Sequence, residues 1–241
     1  IYSSSAANYG NSKGKRNLYA WSKYAAEQHI IACNQIALRY FNVYGPGEEN
    51  KGRMASVAQQ MFIKHKNNEP VKLFPGQPMR DFVYIDDVIN ANLFALENYD
   101  YLKGTWYDVG LGKANSFESV VEYLGIPYTY TDASTIPQNY QMFTEANKHC
   151  MMPNWEPKTD LETGIKKYKL YLNEKLEILK KSIIYTNLFL ILSVIILSSY
   201  YYTKILFIFH FIVVITIIYI LYIVINSGFK KKAGAKIFLL G

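Results

Sequence analysis

Between Ser182 and Gly228 the chain carries one formal charge, Lys204, and that apolar run limits the possible folds more than any other stretch. Ser182–Thr203 and Ile205–Gly228 are uncharged over 22 and 24 residues, and a helix needs about 20 apolar residues to cross a bilayer. Each run is therefore long enough to span. Lysines gather on both flanks, within 166–181 and 230–236, so the net charge of +7 reads as membrane flanks rather than a nucleic-acid surface. The expectation is a basic amphipathic helix over 166–181, a two-helix transmembrane hairpin over 182–228 with both ends in the cytoplasm, and a basic tail over 229–241. A pair of buried core helices is the other reading of the same composition.

Up to about Gly164 the composition is that of a mixed globular chain. Ile1–Ser5 reads as a buried strand whose hydroxyls emerge at its carboxyl edge, where ligands sit in open α/β sheets. Ala6–Gly10 reads as a turn, Asn11–Asn17 as a polar loop, Leu18–Ala32 as a helix and Gln35–Phe41 as a second parallel strand, ending in a turn at Asn42–Pro46. A helix over Met54–Lys66 is expected to bury Met54, Val57, Ala58, Met61 and Phe62. Val71–Phe74 and Thr105–Val109 are strand-like. The Arg80–Asp87 stretch is a strand entering a helix that runs to about Asn98, with Asp86 or Asp87 as its cap, and Ser116 caps a helix through Leu124. Cys33 and Cys150 have no metal-ligand spacing and read as buried small hydrophobes in a reducing compartment.

Tyr19 and Lys23 stand four residues apart in the first helix and share a face. A phenol ionises near pH 10, so it needs a neighbouring ammonium to act as a base at neutral pH. Lys23 can supply that charge, and Ser3, Ser4 and Ser5 lie just upstream. Such a set suits proton removal from an alcohol as its hydride leaves for a nicotinamide, although the spacing alone also fits an ordinary helix surface.

Taken together, Tyr2-Ser-Ser-Ser-Ala6, Tyr19-x-x-x-Lys23, Arg39-Tyr-Phe-Asn-Val-Tyr-Gly-Pro46 and Arg80-Asp-Phe-Val-Tyr-Ile-Asp-Asp87 resemble four blocks of the extended short-chain dehydrogenase/reductases that act on nucleotide sugars. The resemblance covers about residues 1–165. Within that family, Glu49-Asn-Lys-Gly-Arg-Met-Ala-Ser-Val57 and Tyr140-Gln-Met-Phe-Thr144 look like segments of the ADP-heptose 6-epimerase branch. The fold implied is α/β: the C-terminal part of a Rossmann-like doubly wound sheet with a small substrate-binding lobe, followed here by the helical apolar hairpin.

The function implied is C6 epimerisation of ADP-glycero-manno-heptose through a ketone, with NADP (or NAD), in lipopolysaccharide core synthesis. Tyr19 and Lys51 would serve the two orientations of the sugar, assisted by Lys23 and Ser5. Lys51 would have to be partly desolvated to act as a base. Tyr19, Lys23, Val43 and Lys51 match cofactor-binding positions. Ser5, Asn42, Arg53, Gln60, Phe74, Pro75, Gly76, Gln77, Arg80 and Tyr140 match substrate-binding ones, Arg80 as the diphosphate ligand. Arg53 and Gln60 differ from the Ser and His expected there. The family's Gly-rich cofactor turn is absent from the sequence, so the chain reads as a C-terminal fragment, inactive by itself, of a cytoplasmic homo-oligomer. Another nucleotide-sugar epimerase or dehydratase, or a catalytically dead membrane-tethered scaffold, are the alternatives.

Overall fold

The computed structural model describes residues 1–10, 17–138, 140–200 and 206–231. Most of the expected basic loop at 11–17, together with Lys204 and most of the basic tail, lies outside them. The chain divides into two compact units, Ile1–Leu172 and Asn173–Gly241.

The first unit alternates strands and helices: β1 (Tyr2–Ser5), α1 (Leu18–Ala32), β2 (Ala37–Tyr40), β3 (Asn42–Tyr44), α2 (Val57–Lys66), β4 (Lys72–Leu73), β5 (Met79–Tyr84), α3 (Ile85–Glu97), α4 (Tyr99–Leu102), β6 (Trp106–Val109), β7 (Ala114–Ser116), α5 (Phe117–Leu124) and β8 (Thr129–Tyr130). α6 (Leu161–Tyr200) starts in this unit, and α7 (Leu206–Lys231) lies in the second. β1, β2 and β6 form one parallel sheet in the order β1-β2-β6, and β3, β5 and β7 a second in which only β7 is antiparallel. Parallel register sets Ser5 beside Tyr40 and Tyr40 beside Val109 at one carboxyl edge. The core lies between these sheets and α3, with Ile36, Leu38, Val83, Ala91, Ala95 and Val109 fully buried.

Local chemistry sets several element ends. The Asn17 side chain accepts from Ala20 N at 2.8 Å and starts α1. Ser116 does the same for α5 through Ser119 N, and Gly125, in the left-handed region at φ 68°, ends it.

Several expectations are corrected. Asn42–Tyr44 is a strand rather than a turn, because its backbone finds a parallel partner in β5. Only Ser4 of β1 is buried. Residues 52–54 form a separate 3₁₀ turn ahead of α2, which leaves Met54 82% exposed instead of on the buried stripe. Neither Asp86 nor Asp87 caps α3, which begins at Ile85; the Asp87 carboxylate accepts from Lys158 N and Thr159 N instead. Cys33 is exposed and Cys150 half-buried. The amphipathic stretch 166–181 is no separate helix, since α6 runs through it without a break. Among the described residues, one helix is long and apolar enough to cross a membrane, Leu161–Ile195, and a shorter apolar one covers His210–Ile223. None of the apolar window of Leu161–Ile195 is buried.

Candidate active site

The carboxyl edge of β1 is the natural starting point. Ser5 closes the strand and accepts from Ala7 N at 3.2 Å, starting the one-turn helix Ala6–Tyr9. The Lys23 ammonium reaches this strand, donating to the Ser3 carbonyl at 3.0 Å with its Nζ 5.3 Å from the centre of the Tyr2 ring. Tyr19 lies one helical turn earlier and is 54% exposed. Lys23 thus meets β1 at Tyr2 and Ser3, Ser5 ends the same strand, and Tyr19 lies on the same helix face as Lys23.

Beneath them sits a buried ionic cluster. Arg39 pairs with Glu27 at 2.6 Å, and Ser4 and Asn8 donate to the same carboxylate at 2.6 and 2.9 Å. The Arg39 guanidinium lies 3.5 Å from the Trp106 ring centre and 4.8 Å from that of Tyr9. Burial opposes the charge on Glu27, but Arg39, Ser4 and Asn8 outweigh it and hold the carboxyl below its ordinary range. Tyr9 donates to Asp108 at 2.8 Å, and burial together with that carboxylate pushes its phenol well up.

A second group surrounds Arg80 on β5. Its guanidinium donates to the carbonyls of Met79 and Gln141, and lies 5.2 Å from the Tyr140 ring centre and 5.6 Å from that of Phe117. Burial lowers its pKa, slightly opposed by the Tyr140 phenol. Tyr140 also meets Phe74 edge-on at 5.1 Å. Between those aromatics, Pro75-Gly76-Gln77 turns back with φ of 90° at Gly76 and 51° at Gln77. Asn42, in β3 next to Val43, donates to the Asp81 carbonyl at 3.1 Å. Phe74, Arg80 and Tyr140 are therefore brought together.

Lys51 and its neighbours form a third group. Lys51 is exposed and leads into the 3₁₀ turn 52–54, and the Gln60 side chain donates to the carbonyls of Ala55 and Arg53 at 2.7 and 3.3 Å. Among the described residues, no hydrogen bond or ring contact joins Lys51 to Tyr19, Lys23 or Ser5. A groove of about 500 Å³ opens along Leu111, Lys148, His149 and 151–157, and none of the predicted site residues lines it.

The sequence reading missed two hubs. Glu27 and Arg39 are legible only as charges on otherwise apolar stretches. Asp81, fully buried, accepts from Leu111, Gly112 and Ala146 N at 2.6, 2.8 and 3.0 Å. Burial raises its pKa and these three bonds oppose the rise. Its only signal was its place beside Arg80.

Residues 1–110 match the model of the NAD dependent epimerase/dehydratase family. The chain is similar to the ADP-L-glycero-D-manno-heptose-6-epimerase of Brachyspira hyodysenteriae, at 34% identity over 76% of this chain and 63% of that protein. The crystal structure of the enzyme of the same name from Helicobacter pylori matches at 33% identity and a TM-score of 0.59, covering 72% of this chain and 59% of that one. The UDP-glucose 4-epimerase of Thermus thermophilus, solved in complex with NAD, matches at 25% identity and a TM-score of 0.55, covering 70% and 61%. The chain thus spans 59–63% of the length of these relatives.

Proposed function

Because residues 1–110 belong to the NAD dependent epimerase/dehydratase family, we propose that this chain is the substrate-binding part of a nucleotide-sugar epimerase acting on ADP-glycero-manno-heptose. The observation that carries this reading is the 34% identity, over 76% of the chain, to an ADP-heptose epimerase.

In this reading a nicotinamide cofactor, NADP or NAD, would be held by Tyr19, Lys23, Val43 and Lys51 and would supply hydride transfer at C6. Tyr19 takes the hydroxyl proton in one orientation of the sugar, and its conjugate acid returns it. Lys23 assists Tyr19 from the same helix face; the Ser3 carbonyl uses one of its three donors and fixes the ammonium, which would leave others for the cofactor ribose. Val43 would border that cofactor. Ser5 steadies the reacting oxygen. Lys51 serves the second orientation, and since it is exposed, the bound sugar must supply its desolvation. Arg80 binds the diphosphate, with Phe74, Pro75, Gly76, Gln77 and Tyr140 around the nucleotide. Asn42, Arg53 and Gln60 contact the sugar side. The catalytic part works in the cytoplasm as an oligomer, attached to a membrane through the apolar segment 182–228, and turnover needs residues beyond these 241.

The test is to incubate ADP-D-glycero-D-manno-heptose and NADP with the 241-residue chain, and with the chain extended in frame by the family's glycine-rich cofactor unit, and to follow the C6 epimer by NMR. Turnover is expected only from the extended chain. Turnover by the 241 residues alone would overturn the fragment reading. Conversion of UDP-glucose but not ADP-heptose would favour the second reading, another nucleotide-sugar epimerase or dehydratase, for which Arg53 and Gln60 already speak.

A further inference from the structure

We propose that α6 crosses a lipid bilayer once, with Lys180 and Lys181 at the phosphate headgroups of one leaflet and the residues from Ser182 onward in hydrocarbon. This rests on the membrane attachment proposed above and adds its register and its lipid chemistry.

Ile183, Ile184 and Tyr185 are successive residues, about 100° apart around the axis, and all three are exposed, as are Leu188, Ile191 and Leu192. Besides apolar side chains, residues 182–195 carry only the hydroxyls of Ser182, Thr186 and Ser193, gathered on one narrow side, the phenol of Tyr185 and the amide of Asn187. A helix apolar all round belongs in a protein core or a membrane, and none of this apolar window is buried. A seam for one partner helix would instead leave an apolar stripe and a polar back.

The hydroxyls point the same way. Thr186 Oγ1 donates to Ser182 O at 2.8 Å and Ser193 Oγ to Leu190 O at 2.8 Å; in α7, Thr216 Oγ1 donates to Ile212 O at 2.6 Å. Each donor is satisfied by its own helix, as hydrocarbon requires and water does not. Asn187 is the exposed exception, an amide of the kind that bonds between helices in a bilayer.

Charge and length fix the register. Lys180 and Lys181 are the last charges before Ser182, and Lys180 reaches back to Glu177 at 2.8 Å, so its flexible stem can carry the ammonium to an interface. From Ser182 to the end of α6 at Tyr200, a rise of 1.5 Å per residue gives about 28 Å, against a hydrocarbon thickness of about 30 Å.

The experiment uses the full 241-residue chain, mixed with phosphatidylcholine vesicles or with vesicles that also contain phosphatidylglycerol, followed by flotation and alkaline carbonate extraction. Trp21, Trp106 and Trp155 all lie in Ile1–Leu172, so their fluorescence reports the folding of that unit in every variant. The chain should float with both vesicles and resist carbonate. Leu188→Lys with Ile191→Lys should cut partitioning by at least on the order of a thousandfold. Lys180→Gln with Lys181→Gln should leave insertion in place and lower the phosphatidylglycerol preference by roughly thirtyfold. Release by carbonate, or indifference to the paired lysines at 188 and 191, would overturn the spanning helix and its register while leaving attachment standing. A folded chain that floats with neither vesicle would overturn attachment itself. Lipid-free oligomers in place of flotation would assign the apolar surface to a second copy of this chain and overturn the proposal.

Discussion

Arg39 holds Glu27 through two hydrogen bonds, Nη2 to Oε1 at 2.6 Å and Nε to Oε2 at 2.9 Å, with side chains 8% and 0% exposed. The pair ties α1 to β2. Because Tyr19 and Lys23 ride on α1, the same bond fixes how that helix lies against the strand whose Ser3 carbonyl Lys23 binds.

Removing one partner of a buried pair leaves the other charge uncompensated. Glu27→Ala or Arg39→Ala should each cost about 3–5 kcal/mol, whereas the double replacement Glu27→Leu with Arg39→Met should cost much less. Urea unfolding followed by tryptophan fluorescence measures all three.

The same carboxylate sets a pH dependence. Glu27 is held below its ordinary range, so its stabilisation is whole above the range of a free glutamate and is lost as pH falls through the depressed value. The gap between the native chain and Glu27→Gln should therefore close on acidification. Asp81 and Asp108, whose carboxyls burial pushes up, act in the opposite sense. Unfolding curves at a series of pH values read the difference.

Gly164 lies in α6, and a Cβ there would stand 2.0 Å from the hydroxyl oxygen of Tyr44, a fully buried ring. Helix propensity alone would make Gly164→Ala stabilising by about 1 kcal/mol. Overpacking costs about 1–3 kcal/mol, so net destabilisation is expected, and Gly164→Ala with Tyr44→Phe should recover part of it. Thermal unfolding of the three variants checks this.

Asp87 accepts from Lys158 N and Thr159 N at 2.9 and 3.0 Å, anchoring the segment that leads into α6. Asp87→Ala leaves Thr159, 8% exposed, with its amide unpaired, at a cost of about 1–3 kcal/mol. Faster hydrogen exchange at residues 158–159 than elsewhere in the first unit is the expected sign.

For catalysis, Tyr19→Phe and Lys51→Ala in the extended chain should each lower epimer interconversion by about 10²–10⁴-fold. Lys51→Ala should spare conversion of other nucleotide sugars if its role belongs to the heptose orientation. Equal loss on every substrate would place Lys51 in general binding.

Local chemistry made much of the first unit legible. The apolar spacing from Leu18 to Ala32 and the Asn17 oxygen define α1, Ser116 defines the start of α5, and four ordered blocks carry the family. These signals depend on neighbours within a turn or two, which a linear sequence displays. The exposure of Lys51 and the gathering of Phe74, Arg80 and Tyr140 depend on turns at 52–54 and 75–77 whose direction no periodicity records.

The sequence by itself displayed most of the helices and the longer strands, four ordered blocks that resemble one family, and that 182–228 is too apolar for an ordinary surface. Only the tertiary structure decided that Asn42–Tyr44 is a strand, that Asp87 serves a backbone some 70 residues away, and that Glu27 and Arg39 neutralise each other in the interior. Strand pairing and buried-charge compensation are made between residues far apart in the chain, so neither end of such a bond marks its partner until the fold closes the distance.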